Sequence, residues 1–164
     1  MHYKSLKTAL GVLVLATLLA LSATCALAAE ASPAGSVKSL SGEAKVTRGG
    51  GAPVALAVGE RIFENDVLTT GAGAALGLVM RDNTTLSLGP NSRLVVERYL
   101  FAPEKNALGT MLHLKKGSMA CATGEMARLS PETMQFMAAG YTLGIRGTHF
   151  MVNIEADAEN AGGQ

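Results

Sequence analysis

The sequence is poor in aromatic residues, in charge and in cysteine, and each scarcity argues against a class of function. Aromatics make up 4% of the 164 residues and Trp is absent, so the chain has little with which to stack on sugar rings. The 14 basic and 13 acidic residues leave a net charge of +1, too small a positive field to hold nucleic acid. The two cysteines and three histidines show no paired spacing, so no zinc site is expected.

Glycine and apolar residues are abundant instead, and together they predict a turn-rich β protein. Charged residues are only 16% of the chain, too few for a disordered polymer, whereas hydrophobic residues reach 48%. The 19 glycines argue against a helical bundle, because each glycine inside a helix costs about 1 kcal/mol relative to alanine. The length fits one small domain.

The amino terminus has the pattern of a secretory signal peptide. Lys4 and Lys7 precede an apolar run over 9–21, and an A-x-A site over 26–28 follows it. The run is shorter than the roughly 20 residues that a membrane-spanning helix needs. We therefore predict a signal peptide over 1–28, a periplasmic location and no stable membrane anchor after cleavage. Cleavage would change the net charge to about −1, and it would leave Cys121 as the one thiol, with no disulfide inside the chain.

The remaining chain divides into a short linker over 29–34, a β domain over 35–154 and a disordered acidic tail over 155–164. Within the β domain, Leu and Val alternate with smaller residues in three successive short segments: 76–80, 86–88 and 94–96. Such repetition predicts a compact β-roll or sandwich of short strands with a solenoid-like middle, in which neighbouring segments bury a common apolar column. Two hairpins are also predicted, around Gly42 and Gly117: strands 37–40 with 44–48, and 110–114 with 118–122.

Several short segments occur in a set order along the chain: Gly35-Ser36-Val37, Gly42-Glu43-Ala44, Val58-Gly59-Glu60-Arg61-Ile62, Asp66-Val67-Leu68-Thr69-Thr70, Leu86-Ser87-Leu88, Pro90-Asn91-Ser92, Leu114-Lys115-Lys116-Gly117 and Leu143-Gly144-Ile145-Arg146-Gly147-Thr148-His149-Phe150. Together they resemble the FecR domain over about 35–153, and the last segment is the most diagnostic. The resemblance implies an all-β extracytoplasmic module. In the regulators that name the family, this module receives a signal from an outer-membrane receptor and passes it to a cytoplasmic anti-sigma segment.

The chain differs from those regulators on both sides of the β domain. We expect no cytoplasmic segment ahead of the hydrophobic run and no receptor-contacting domain after Phe150. It is similar instead to the short, secreted, stand-alone members of the family, so direct sigma-factor regulation is not expected. For these members the resemblance implies a fold and a location rather than a reaction. Our leading hypothesis is a non-enzymatic periplasmic protein, without a cofactor, that acts in protein–protein interaction or envelope signalling by binding another envelope protein through an exposed edge strand or the corner over 144–150.

The glycine corner of the last segment is the candidate contact site, and its residues are Gly144, Arg146, Gly147, Thr148 and Phe150. Glycines on both sides of Arg146 allow another chain to approach closely, and arginine is a rigid bidentate donor to carboxylates. The alternative, which we favour, is a structural bend in which backbone carbonyls or an internal acid such as Asp66 satisfy Arg146.

Two other binding functions stay open, namely a carbohydrate or cell-wall ligand and Cu(I). Thioether, imidazole and thiol groups suit Cu(I), and Cys121 with Met119 is the pair we would test first. The groups concerned crowd the last third of the chain: Met111, His113, Met119, Cys121, Met126, Met134, Met137, His149 and Met151. Against this, flexible methionines are also good core fillers, and no tight His or Met cluster occurs.

No catalytic motif is present, and we expect no enzymatic activity. The chain lacks G-x-S-x-G, and both His113 and His149 lie on predicted strands with no evident acid partner, so Cys121 with a histidine is the one candidate pair. Asp66 and Asp82 are interpreted as turn residues that bond their own backbone rather than as ligands of Ca²⁺.

Overall fold

The computed structural model of the chain describes residues 32–143 and 149–154, which form twelve strands, one short helix and two 3-10 turns. The strands are β1 Gly35–Ser41, β2 Ala44–Thr47, β3 Val54–Ala55, β4 Arg61–Ile62, β5 Val67–Thr70, β6 Ala75–Met80, β7 Thr85–Leu88, β8 Arg93–Ala102, β9 Ala107–Ala122, β10 Met134–Ala138, β11 Tyr141–Leu143 and β12 His149–Ile154. The helix α1 is Glu125–Leu129, and the 3-10 turns are Pro103–Lys105 and Pro131–Thr133. The predicted all-β class is confirmed.

The strands form one sheet that curls into a half-barrel, and β9 is the central strand that pairs with both of its halves. The main path runs β3-β2-β5-β8-β9-β7-β6-β1-β4. The first half of β9 pairs antiparallel with β8 and parallel with β10, while its second half pairs antiparallel with β7 and β12. A single 16-residue strand therefore joins the two halves of the sheet.

The bend in β9 lies at Gly117, and the hairpin predicted there is wrong. Gly117 has a φ of +84°, and a Cβ at this position would lie 2.5 Å from the Cα of Ser92. The Ser92 hydroxyl donates to the carbonyl of Ser118 at 3.1 Å and accepts its N–H at 3.0 Å. Only glycine fits at position 117, because a side chain would collide with Ser92 and φ is positive. The strand continues through this residue, so Gly117 bends β9 and does not reverse it.

The hairpin predicted around Gly42 is also wrong. β1 pairs with β4 and β6, whereas β2 pairs with β3 and β5, so the two strands are not partners. Gly42 has a φ of +75°, and a Cβ there would lie 3.0 Å from Ala74. This turn passes the chain from one half of the sheet to the other.

The apolar alternation in the middle of the chain is present, but the strands do not stack as successive rungs. β6 and β7 are antiparallel partners, β7 continues to β9, and β8 lies between β5 and β9 in the other half. The leucines of the three alternating segments are fully buried in one core, each burial stabilising the fold by about 1.5–3 kcal/mol: Leu76, Leu78, Leu86, Leu88 and Leu94. Leu112, Leu114 and Phe136 from β9 and β10 are buried in the same core.

The last described strand is β12, His149–Ile154, and the segment Met134–Ala138 forms strand β10. The predicted signal peptide 1–28 and tail 155–164 lie outside the described residues, so these boundaries stay predictions. Within the described part of the chain, no helix is long and apolar enough to cross a membrane.

Candidate functional site

The predicted glycine corner lies next to β12, the last strand of the described chain. Residues 144–148 are outside the described residues, so the roles of Gly144, Arg146, Gly147 and Thr148 stay predictions. Phe150, in β12, has its ring 4.8 Å from that of Phe136 at an interplanar angle of 76°, an edge-to-face contact. Phe150 thus packs on the core and anchors one face of β12.

Among the described strands, β12 has a neighbour along one long edge and none along the other. Its residues pair with β9 over their full length, from His149 opposite Ala122 to Ile154 opposite Gly117, and β9 is its one partner among the described strands. Exposure alternates along it: Phe150, Val152 and Ile154 pack against the core, while the intervening side chains are exposed. Met151 is the most exposed large apolar side chain, at 76%. An open edge of this kind offers backbone donors and acceptors to another strand.

The buried acid Asp66 is held by an arginine from a neighbouring turn. The Asp66 carboxylate accepts the N–H of Phe63 at 2.9 Å, as expected of a turn residue, and it lies 3.3 Å from Nε of Arg48. Arg48 also donates to the carbonyl of Arg61 at 2.8 Å and forms an exposed ion pair with Glu60 at 3.3 Å. The proposed contact of Asp66 with Arg146 is outside the described residues; the contact with Arg48 already neutralises this acid.

Asp82 is the centre of a buried polar network that sequence patterns did not reveal. Its carboxylate accepts the hydroxyl of Tyr99 at 3.0 Å and that of Thr84 at 2.7 Å. Thr84 in turn accepts the N–H of Gly124 at 2.9 Å, and Glu125 donates its N–H to the carbonyl of Asp82 at 2.7 Å. A Cβ on Gly124 would collide with this turn, so glycine is required there. The network ties the β6–β7 turn to β8 and to the start of α1.

Cys121 is a free, buried thiol beside this network. Burial, together with the negative charge of Asp82, raises the pKa of the Cys121 thiol to about 12. His149 is the register partner of Ala122 and is exposed, so it projects from the opposite face of the sheet. A thiol that stays protonated at neutral pH is a poor nucleophile and a poor metal ligand. The candidate Cys–His catalytic pair and the Cys121–Met119 copper pair therefore both lose support.

An open cavity of about 600 Å³ lies on the other side of the Asp82 turn. It is lined by Asn83, Thr123, Gly124, Glu125, Arg128 and Leu129. Its one acidic and one basic side chain, Glu125 and Arg128, both belong to α1, a helix of only five residues. Within the described residues, no group of three or more His, Cys, Asp and Glu side chains could hold a metal ion here or elsewhere.

His113 does have an acid partner, so the expectation of none is wrong. Its Nδ1 lies 2.8 Å from Oε1 of Glu97, on the adjacent strand β8. Glu97 falls in a β-bulge, where the β8–β9 register shifts between Val96 and Arg98. The bulge adds a residue to β8 and so directs the Glu97 carboxylate across to His113, which alternation alone would not predict.

The methionines do not gather in one place. Met119, Met126 and Met134 are buried in the core, and Met151 is exposed on β12. Met111 and Met137 are half-buried on the outer face of the sheet, beside His113. Three of these six methionines are therefore core fillers, as the alternative in the sequence analysis held for them.

A family model described as FecR protein matches residues 66–161. The chain belongs to the FecR family. The match begins at the buried acid Asp66 and includes β5 to β12 with the glycine corner, whereas the resemblance noted in the sequence starts earlier, at Gly35. No curated protein and no solved structure matches the chain.

FecR is a family of regulatory and signalling proteins of the cell envelope. The FecR match covers the open edge of β12, the Asp82 network and the His113–Glu97 pair alike. Of these features, the edge is the one whose geometry suits binding to another protein.

Proposed function

We propose that this chain is a non-enzymatic periplasmic protein of the FecR family that acts in envelope signalling by binding another envelope protein along the edge of β12. The open edge of β12 is the observation that carries the proposal. A strand from a partner would add to it through backbone hydrogen bonds, and pockets for alternate side chains would give specificity. The glycine corner immediately precedes β12 in the sequence, and its Arg146 is the candidate donor to a carboxylate of the partner.

Anchoring of β12 supports its role as a docking edge. Phe150 contacts Phe136, and Val152 and Ile154 pack on the core, so one face of the strand is fixed before any partner arrives. A preorganised strand loses less conformational freedom on binding than a flexible segment does. Met151, on the other face, adds an exposed apolar contact beside the edge.

The test is site-specific photocrosslinking in living cells. The tagged full chain carries a photoreactive residue at the exposed position Asn153, and the wild type is compared with Met151→Lys and Arg146→Ala. We expect one envelope protein to be captured by the wild type and lost in Met151→Lys, because a charge on an edge strand opposes strand addition. Loss in Arg146→Ala with the fold retained would also assign the glycine corner to the contact.

Val58→Lys is the matched control, since Val58 is also an exposed apolar residue, at 63%, but lies between β3 and β4. It should capture the partner as the wild type does. If Met151→Lys and Val58→Lys retain capture equally, the β12 edge is not the docking site. An Arg146→Ala variant that unfolds, as judged by circular dichroism, would instead support the structural role of that residue.

A further inference from the structure

His113 lies between two methionines on the outer face of the sheet. Met137 on β10 is its register partner in the parallel β9–β10 pair, and Met111 precedes it by two residues on β9. Residues two apart on a strand share a face, as do register partners on adjacent strands. Leu112 and Leu114 occupy the opposite, core face. Two thioethers and one imidazole are therefore neighbours on a face that the core does not use.

The contact with Glu97 sets the orientation of the His113 ring. A carboxylate at 2.8 Å from Nδ1 accepts the proton on that nitrogen, which leaves the lone pair of the neutral ring on Nε2. The bonding directions of the two ring nitrogens diverge widely, so Nε2 points away from the Glu97 carboxylate on β8. The strand on the other side of His113 is β10, where Met137 is its register partner. A histidine oriented by a carboxylate in this way is typical of metal ligands.

We propose that Met111, His113 and Met137 form a binding site for a single Cu(I) ion, with Nε2 and the two thioether sulfurs as ligands. Thioether and imidazole are soft and intermediate donors that select Cu(I), whereas Zn²⁺ sites use thiolate, imidazole or carboxylate ligands. The three ligands are neutral. Glu97, which contacts Nδ1 of His113, supplies a negative charge that compensates that of the ion. His113 is only 8% exposed, and its two methionine neighbours are half-buried, which limits access of water to the ion.

Two cations neighbour this cluster: Lys115, which follows His113 by two residues on β9 and is exposed to solvent, and Arg98 on β8. Arg98 is the register partner of Met111 and is exposed. Its guanidinium lies 3.7–3.8 Å from where a Cβ of Gly109 would be, on the side of Met111 away from His113. Since Gly109 precedes Met111 by two residues, the charge of Arg98 is displaced along the strand from the proposed ion position.

The experiment is an anaerobic competition titration of the purified full chain with Cu(I) held by a chromophoric chelator. We expect one Cu(I) per chain, with sulfur and nitrogen neighbours in the X-ray absorption spectrum. His113→Ala should weaken binding by at least ~100-fold, because loss of a ligand exceeds the 10–100-fold typical of losing an outer-shell partner. Met137→Leu keeps the side-chain volume, so it tests the ligand even if His113→Ala fails to fold.

Met134→Leu is the matched control, since Met134 lies on the same strand as Met137 but faces the core. It should bind Cu(I) as the wild type does, and so should Cys121→Ala. The proposal is overturned if the wild type binds no Cu(I), if Met137→Leu binds as tightly as Met134→Leu, or if Cys121→Ala alone abolishes binding. The site is separate from the β12 edge, so its failure would leave the proposed function untouched.

Discussion

The hydroxyl of Tyr99 donates to the buried carboxylate of Asp82 at 3.0 Å and accepts the backbone N–H of the same residue, also at 3.0 Å. The two residues are 17 positions apart, so this contact closes the β6–β7 turn against β8. Because Asp82 is fully buried, its polar atoms need the hydrogen-bond donors around them. Tyr99 is therefore a structural part of the domain rather than a binding residue.

Tyr99→Phe should lower the free energy of unfolding by about 1–3 kcal/mol, because it leaves two buried polar groups of Asp82 without this partner. Urea denaturation of both proteins measures the difference. Tyr141→Phe is the control, since Tyr141 is 74% exposed, and it should stay within about 0.5 kcal/mol of the wild type. Equal effects of the two substitutions would contradict a structural role for the Asp82 network.

The pKa of Cys121 predicts how stability changes in alkali. Burial raises this pKa from 9.0 to about 12, and burial also raises that of Tyr99 above its usual value of 10.0. Above pH 9 the unfolded chain loses the thiol proton while the folded chain keeps it. The unfolded state then binds fewer protons, so the stability present below pH 9 falls as pH rises toward 12, by up to about 1.4 kcal/mol per pH unit for this group.

Cys121→Ala removes this titration, so its stability should fall less steeply than that of the wild type between pH 9 and 12. Urea denaturation at a series of pH values gives both slopes. The comparison concerns slopes alone, because the cavity left by the substitution lowers stability at every pH. Parallel curves for the two proteins would show that the thiol titrates alike in the folded and unfolded states.

The positions of the strands along the chain could be predicted from the sequence far better than which strands pair with one another. The alternation of Leu76, Leu78, Leu86 and Leu88 with smaller residues identifies the core face, because a strand buried on one side imposes a period of two. Glycine at Gly42 and Gly117 marks a change of direction in both cases. Whether the chain then reverses, crosses between halves or merely bends depends on Ala74 and Ser92, which are distant in sequence.

The polar contacts were beyond sequence analysis for a related reason. Asp66 and Asp82 were interpreted as turn residues, and each does bond its own turn, at Phe63 and Thr84. Their other partners come from strands and turns that only the fold brings near. The Glu97 carboxylate likewise reaches His113 because a bulge shifts the register, and no local motif indicates a bulge of that kind.

Gly117→Ala should destabilise the domain strongly, because a methyl group would have to displace the backbone of Ser92 as well as tolerate a φ of +84°. We expect a loss of about 3 kcal/mol or more, measured by thermal or urea unfolding. Gly140→Ala is the matched control: its φ is +81°, and nothing lies within 4 Å of the added Cβ. Its cost should be about 1–2 kcal/mol, from backbone strain alone. If the two variants lose equal stability, close packing on Ser92 does not contribute.

Two ion pairs, Arg48–Asp66 and Lys45–Glu43, should differ in their contribution to the free energy of unfolding and in how strongly salt weakens them. Arg48 stacks on Phe63 at 5.5 Å and neutralises buried Asp66, so Arg48→Ala leaves a buried carboxylate short of a donor and should cost about 2–3 kcal/mol. Lys45 forms an exposed pair with Glu43 at 2.8 Å, and Lys45→Ala should change stability little. Urea denaturation in low salt and in 1 M NaCl checks both, because salt screens the exposed Lys45–Glu43 pair more than the partly buried Arg48–Asp66 pair. A loss in Arg48→Ala that disappears in high salt would mean that Arg48 acts at the surface, through Glu60, and not on Asp66.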